Sequence, residues 1–224
     1  MVVPQVQWLD QTGGTERELT EGVAVSSSNG SFFATGYTFG AIGDSDNLPG
    51  SGADIWVALY DLSGNLRETT QLSSEAEGTV ADDFAHAVDF SGNTLYVVGE
   101  TEGDITNNFD REVNRGATDG FILTYSPTGE SLGNGGQPTA AFQFDIGDDG
   151  GRDFVYDVDV SGDNVYVVGK SNGQENANDQ ETGMDAFVAK FTIDAVTNFN
   201  PRQTTAEQAE WIEIISTPES EEAQ

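Results

Sequence analysis

Three copies of one sequence pattern follow one another along this chain of 224 residues. Each copy has a glycine at the end of its second predicted strand, and the three glycines are spaced at similar intervals: Gly36, Gly99 and Gly169. An aspartate opens the third predicted strand of each copy, at intervals that are almost equal: Asp54, Asp119 and Asp185. Repetition at a nearly constant period restricts the chain to folds that are built from one repeated unit.

Each copy alternates apolar and polar residues with a period of two. In the third copy, Val158 and Val160 precede the turn Ser161–Asn164, and Val165 and Val167 follow it. Alternation that is interrupted by a Gly, Asn or Asp turn predicts a β-hairpin. A second hairpin follows in every copy. Four short antiparallel strands in about 65 residues, repeated three times, predict an all-β protein of the β-propeller type with three four-stranded blades.

The predicted repeat domain covers residues 1–217, with blades near 15–73, 78–146 and 148–217, and the acidic residues 218–224 form a flexible tail. An additional outer strand is expected at 5–11, because Val6–Asp10 matches Glu210–Glu213. Three blades are too few to close a ring. The chain is therefore expected to be part of a longer propeller, or to close the ring by oligomerisation. The start Met1–Pro4 has the character of an artificial N-terminus and favours the first of these.

The second and third copies also share a specific motif, V-D-x-S-G-[ND]-x-[LV]-Y-V-V-G. It is written at Val88–Gly99 and, with small changes, at Val158–Gly169, and the third copy adds Asp185–Lys190, DAFVAK. This pattern resembles the bacterial seven-bladed β-propeller repeat family (SBBP type) over roughly residues 5–217. The first copy departs from it at Ser26 and Phe33. The resemblance implies a propeller fold and says little about chemistry, since propellers host many functions.

Charge and composition exclude several classes of function. The 39 acids and 8 bases give a net charge of -31, which repels nucleic-acid phosphates, so no nucleic-acid partner is expected. No run approaches the ~18 apolar residues of a membrane span, so no membrane insertion is expected. The absence of cysteine excludes disulfides and thiolate metal sites, and one histidine excludes multi-histidine sites. The N-terminus lacks the pattern of a signal peptide.

Two acidic segments are candidate calcium sites. The first contains Asp44 and Asp46, and the second contains Asp145, Asp149 and Asp153. Calcium takes six to eight oxygen ligands, which loops of Asp, Asn and backbone carbonyls can supply. The alternatives are a solvated acidic loop for the first segment and a repeated connector between blades for the second. Both alternatives are favoured over calcium.

Three kinds of residue are candidates for other sites. Trp56, aligned with Gly120 and Ala186, is the single unrepeated aromatic, and it is either a sugar-stacking platform or, by preference, a wedge between blades. The aspartates that open the third strands are interpreted as structural, since one recurs in each copy. His86, aligned with Tyr156 and Val23, is interpreted as a half-buried packing residue, because no catalytic partner is marked.

The expected function is a non-enzymatic structural or adhesive scaffold in a cell-surface, extracellular or virion assembly, stabilised by calcium if the acidic segments bind it. Its expected partners are other protein subunits, surface polysaccharide or further copies of the chain. A carbohydrate-binding, lectin-like propeller is the alternative. A polysaccharide lyase or hydrolase is a third and less favoured interpretation, because no loop departs from its repeats in a way that assembles unlike residues.

Overall fold

The computed structural model describes residues 8–11, 13, 16–26, 28–42, 52–74, 81–105, 117–146, 151–172, 184–198 and 205–215. Over these ranges the protein is all-β, with three separate four-stranded antiparallel sheets in chain order. Their strands are β1 (Glu18–Ser26), β2 (Ser31–Thr38), β3 (Asp54–Asp61) and β4 (Leu66–Leu72); β5 (Asp83–Ser91), β6 (Thr94–Thr101), β7 (Asp119–Tyr125) and β8 (Ala140–Phe144); β9 (Asp153–Ser161), β10 (Asn164–Ser171), β11 (Asp185–Thr192) and β12 (Ala209–Ile215). The predicted fourfold division of every copy is confirmed.

The order of strands within each sheet is the order along the chain, because every connection joins neighbouring strands. The first hairpins of the second and third sheets turn through two residues each, and the leading glycines, Gly92 and Gly162, have positive φ. The hairpin of the first sheet turns through four residues, since Ser26 pairs with Ser31. The first copy is therefore two residues longer at this point, a difference that changes the alignment of everything before it.

Every first strand carries a β-bulge opposite the repeated glycine. The extra residue is Glu21 in β1, His86 in β5 and Tyr156 in β9. At each bulge the carbonyl of the first strand approaches the glycine so closely that an added Cβ would lie 1.8–1.9 Å from it. Only glycine fits such an approach, which explains its recurrence at the same place in each copy.

The strand pairing corrects two of the alignments made from the sequence. The residue equivalent to His86 in the first sheet is Glu21, and Val23 is instead equivalent to Val88 and Val158. Trp56 lies opposite Gly36, as Phe121 lies opposite Gly99 and Phe187 opposite Gly169. An aromatic ring thus recurs in every sheet. The interpretation of Trp56 as the single unrepeated aromatic is wrong, because that alignment places it one residue out of register.

The three sheets pack face to face in chain order. In each sheet we call the side toward the following sheet the forward face and the opposite side the back face. The first two sheets enclose one apolar cluster, which includes Phe33, Val57 and Phe121, and the second and third enclose another, which includes Ile122 and Phe187. Third-strand residues therefore alternate between the two faces, as a period of two requires.

The same contacts join each sheet to the next. The strand-opening amide of Asp83 donates to the carbonyl of Ala53 at 2.8 Å, and that of Asp153 donates to the carbonyl of Thr118 at the same distance. The first strands lie in a row, because β1 packs against β5 and β5 against β9. We call β1, β5 and β9 the inner strands.

Two short helices lie between β11 and β12: α1 (Ile193–Thr197) and α2 (Thr205–Gln208). The Thr192 hydroxyl accepts a hydrogen bond from the amide of Ala195 and caps α1. Of the outer strand expected at 5–11, the described residues 8–11 form no strand pairing. Trp8 instead stacks on Phe32 with ring centroids 5.3 Å apart.

Candidate functional site

The aspartates that open the third strands belong to a network repeated in the first two sheets. The Gln71 amide donates to Asp54 at 2.6 Å and to the Gly40 carbonyl at 3.0 Å, while its oxygen accepts from the amide of Ile42 at 3.1 Å. In the second sheet Gln143 makes the same three contacts, with Asp119 at 2.8 Å, Gly103 at 2.9 Å and Ile105 at 3.1 Å. A recurring network of polar groups that are buried or partly buried is a structural device.

The third sheet lacks this glutamine. Ile214 stands at its place opposite Phe187, and Asp185 is partly exposed where Asp54 and Asp119 are buried. The structural interpretation of the repeated aspartates fits the first two sheets, where a glutamine side chain donates to each of them. No sequence signal marked the glutamines, because they stand on the fourth strands, where the three copies differ most.

A second set of buried carboxylates opens the inner strands. Asp83 accepts from the Thr101 hydroxyl at 2.5 Å and from the amide of Ser74 at 2.6 Å. Burial raises the pKa of Asp83 to about 6, although these hydrogen bonds oppose the shift. At Asp153, which accepts from the amide of Ile146 at 3.0 Å, burial raises the pKa well above its ordinary value. Desolvation disfavours the charged form of both acids.

Two of the five calcium candidates come together at this place. Asp145 and Asp153 are both fully buried, and repulsion from Asp145 adds to the raised pKa of Asp153. The other three candidates, Asp44, Asp46 and Asp149, lie outside the described residues. Within the described ranges, no group of three or more His, Asp or Glu side chains could hold a metal ion. The described carboxylates alone therefore do not fit calcium, which requires more oxygen ligands.

Trp56 lies at the floor of a cleft of about 640 Å³ on the back face of the first sheet. Its indole N–H donates to the carbonyl of Leu19 at 3.0 Å, and the side chain is only 5% exposed. Further along the same face, Phe32 stacks on Tyr60 with centroids 4.8 Å apart. Trp56 thus offers little free ring surface to a sugar, and its equivalents Phe121 and Phe187 pack between sheets.

The inner strands and the second strands paired with them hold a set of unlike residues at equivalent positions. The bulge position is Glu21, His86 or Tyr156, and the position that precedes the last residue of the second strand is Tyr37, Glu100 or Lys170. We call these six residues the inner-strand cluster. A repeated fold explains why residues recur at equivalent positions, but it does not explain why these two positions carry acids, bases and phenols.

Contacts link the members of the inner-strand cluster within the second and third sheets, and the contact between His86 and Tyr156 joins these two sheets. His86 Nε2 lies 2.5 Å from Glu100 Oε2, and the His86 ring meets the Tyr156 ring edge to face at 5.6 Å between centroids. Lys170 Nζ lies 5.5 Å from the centroid of Tyr156 and 4.5 Å from that of Phe154. Burial raises the pKa of Glu100, while His86 and then Lys170 oppose that shift. Tyr156 remains 44% exposed and forms the accessible part of the cluster.

Sequence reasoning missed this cluster because its members align only when the longer first turn is counted. With His86 set beside Val23 instead of Glu21, the position looked apolar. The unlike residues at equivalent positions are the signal that could have revealed it.

No protein-family model matches this chain, and no curated protein matches it significantly. No helix of the described ranges is long and apolar enough to cross a membrane.

Proposed function

We propose that the chain is a propeller-type scaffold module with a non-enzymatic structural or adhesive function. Its three sheets would be three blades, in keeping with the resemblance to the SBBP repeat family. The stacking supports this proposal: sheets follow one another in chain order, each begins at an inner strand, and the inner strands lie side by side. Propeller blades are four-stranded sheets arranged around a central channel, with their strands in this kind of order.

The single observation that carries the scaffold function is the repeated carboxylate–glutamine network. Gln71 and Gln143 bind equivalent groups at closely similar distances. Polar groups that recur in this way join the third strand to the loop before it, so their role would be to make the first two sheets rigid. A rigid stack of this kind suits the presentation of loops to other protein subunits or to surface polysaccharide in a cell-surface, extracellular or virion assembly.

Incubation with purified polysaccharides tests this proposal. The scaffold function predicts retention of the intact polymer, measured by affinity electrophoresis, without release of reducing ends or of unsaturated sugar products. Catalytic release of either product, in proportion to protein concentration, would establish a hydrolase or lyase and refute the scaffold function.

A second candidate function is the binding of a polar, uncharged ligand such as a carbohydrate at the inner-strand cluster. The observation that favours it is the presence of Glu100, His86, Lys170 and the exposed Tyr156 ring within one set of contacts. Aromatic faces stack on sugar rings, and charged side chains hydrogen-bond to hydroxyls. On a glycan array, Tyr156→Ala and Lys170→Gln should each abolish binding. Lys190→Gln changes the only other lysine and should leave binding intact.

Calcium stabilisation belongs to the proposal as a separate element. Asp145 and Asp153 would be two of its ligands; Asp149, the third ligand predicted in this segment, lies outside the described residues. A bound cation would favour the ionised form of both acids and thereby lower the raised pKa of Asp153. Isothermal titration calorimetry with calcium tests it, with Asp153→Asn as the variant that should lose the binding heat.

A further inference from the structure

Within the part of the chain that the structure describes, each end of the stack leaves one sheet face largely uncovered. Val23, on the back face of the first sheet, is 65% exposed, whereas its equivalents Val88 and Val158 are 9% and 8% exposed because a preceding sheet covers them. Among the described residues, the segment that contains Trp8 lies over only part of this face. The exposed valine is thus in a position that the fold buries wherever a neighbouring sheet is present.

The forward face of the third sheet shows the same contrast. Val168 is 40% exposed, whereas its equivalents Val98 and Thr35 are fully buried under the following sheet. Val188 shares this face, since it lies directly opposite Val168. Trp211 and Ile215 of β12 also face this way and are 44% and 58% exposed.

The two open faces are equivalent to faces that pack on each other elsewhere in the chain. Within one chain a forward face packs on a back face twice, first between sheets one and two and again between sheets two and three. The faces left over are one forward face and one back face, with residues at the same positions in the strands. Both lysines of the chain, Lys170 and Lys190, lie on the open forward face, together with Asp157, Asp159 and Glu213. The charged lining of the opposite cleft consists of Asp10 and Glu18.

We propose that each open face is covered by a second copy of this chain, so that two copies form a closed ring of six sheets. The forward face of each third sheet packs on the back face of the partner's first sheet, and the contact occurs twice. Such head-to-tail contacts close when the rotation completes a ring, and six sheets lie within the four to eight of known propellers. Three sheets are too few, and three copies would give nine. This inference rests on the propeller-type stacking proposed above.

The intrachain interface specifies one contact of the dimer. Asp89 Oδ2, on the second sheet, accepts a hydrogen bond at 2.8 Å from the amide of Val160 on the third sheet. The residues equivalent to these two at the open faces are Asp159 and Val25. In the dimer, Asp159 therefore accepts from the amide of Val25 in the other copy, and Val25, now 62% exposed, becomes buried.

Light scattering coupled to size exclusion tests the dimer. The wild-type protein should have twice the 23.8 kDa mass of one chain, and sodium chloride should strengthen the dimer by screening the repulsion between two copies of net charge -31. Val23→Lys and Val168→Lys each place a charge in both contacts and should give monomers that keep the wild-type circular dichroism. Leu62→Lys, in the β3–β4 turn and 55% exposed, is the matched control and should remain a dimer.

Mixing the two variants identifies the head-to-tail geometry. The Val23→Lys variant keeps an unaltered forward face on its third sheet, and the Val168→Lys variant keeps an unaltered back face on its first sheet. An equimolar mixture should therefore form a dimer through one wild-type contact. A wild-type monomer at micromolar concentration in high salt, or a dimer that persists in both variants, would overturn the proposal. So would a mixture that stays monomeric while the wild type dimerises. A monomer that still retains polysaccharide without cleaving it would refute the dimer and leave the scaffold function standing.

Discussion

Replacement of Asp83 by asparagine should remove a pH-dependent loss of folding stability that arises in the core. Asp83 is fully buried, and burial raises its pKa to about 6 from an ordinary value of 3.8. The unfolded chain releases this proton near pH 4, whereas the folded chain holds it until about pH 6. Folded-state stability therefore falls as pH rises through this window. A pKa difference of this size corresponds to about 3 kcal/mol in the free energy of unfolding. This contribution is present below pH 4 and is lost once the pH has risen above about 6.

Asparagine can satisfy the same partners as protonated Asp83. Its carbonyl oxygen accepts from the amide of Ser74, and its amino group donates to the hydroxyl of Thr101, which in turn donates to the Gly103 carbonyl at 3.2 Å. Asp83→Asn should therefore match the wild type near pH 4 and exceed it by up to about 3 kcal/mol at pH 7.

Urea unfolding, followed by circular dichroism at a series of pH values, measures this difference. Comparing variant with wild type at each pH cancels the repulsion among the surface acids. Asp61→Asn is the control of opposite sign: hydrogen bonds from Asn65, and then from Arg67 and Ser63, lower the pKa of Asp61 to about 2. That variant should lose stability at pH 7 and match the wild type near pH 2. A flat difference between pH 4 and 7 for Asp83→Asn would refute the reasoning.

Three further outcomes follow from the packing. Gly99→Ala should destabilise the fold by about 3 kcal/mol or more in urea unfolding, because the new Cβ would lie 1.8 Å from the Phe84 carbonyl oxygen. Gly129→Ala is the control: its new Cβ would lie 3.5 Å from the nearest atom, so stability should change by less than about 0.5 kcal/mol. Gln143→Ala should cost about 2–4 kcal/mol at neutral pH by leaving Asp119 and its neighbours short of a buried partner; a loss under about 1 kcal/mol would contradict the network. Millimolar calcium should raise the melting temperature beyond the effect of sodium at equal ionic strength, and equal shifts would remove calcium from the proposal.

Much of the architecture was predictable because it depends on local sequence patterns. Alternating valines and Gly-Asn or Gly-Asp turns predicted the hairpins, and the second hairpin of each copy was found where its apolar run predicted it. The repeated Gly36, Gly99 and Gly169 marked equivalent points, although the sequence could not show that each glycine faces a bulged carbonyl. A bulge adds a residue without changing the alternation around it, so its position depends on pairing across strands.

The candidate site was less predictable, because its residues come together through pairing across strands. Two additional residues in the first turn moved the alignment of β1, so Glu21 was not recognised as the equivalent of His86. Gln71 and Gln143 stand in fourth strands that share little sequence, and only the paired strands bring them to the aspartates. Trp56 was singled out by a shift of one residue, and one residue is enough to exchange the two faces of a strand.

The contact between His86 and Tyr156 tests the central claim most directly, because it joins equivalent bulges on neighbouring sheets that are far apart in sequence. His86 is the only histidine, so its imidazole protons give one resolvable set of NMR signals. With ring centroids 5.6 Å apart, nuclear Overhauser effects should connect the His86 ring to the Tyr156 ring, and Tyr156→Ala should abolish them. A His86 ring that shows effects only to residues of its own sheet would contradict the stacking of equivalent sheets.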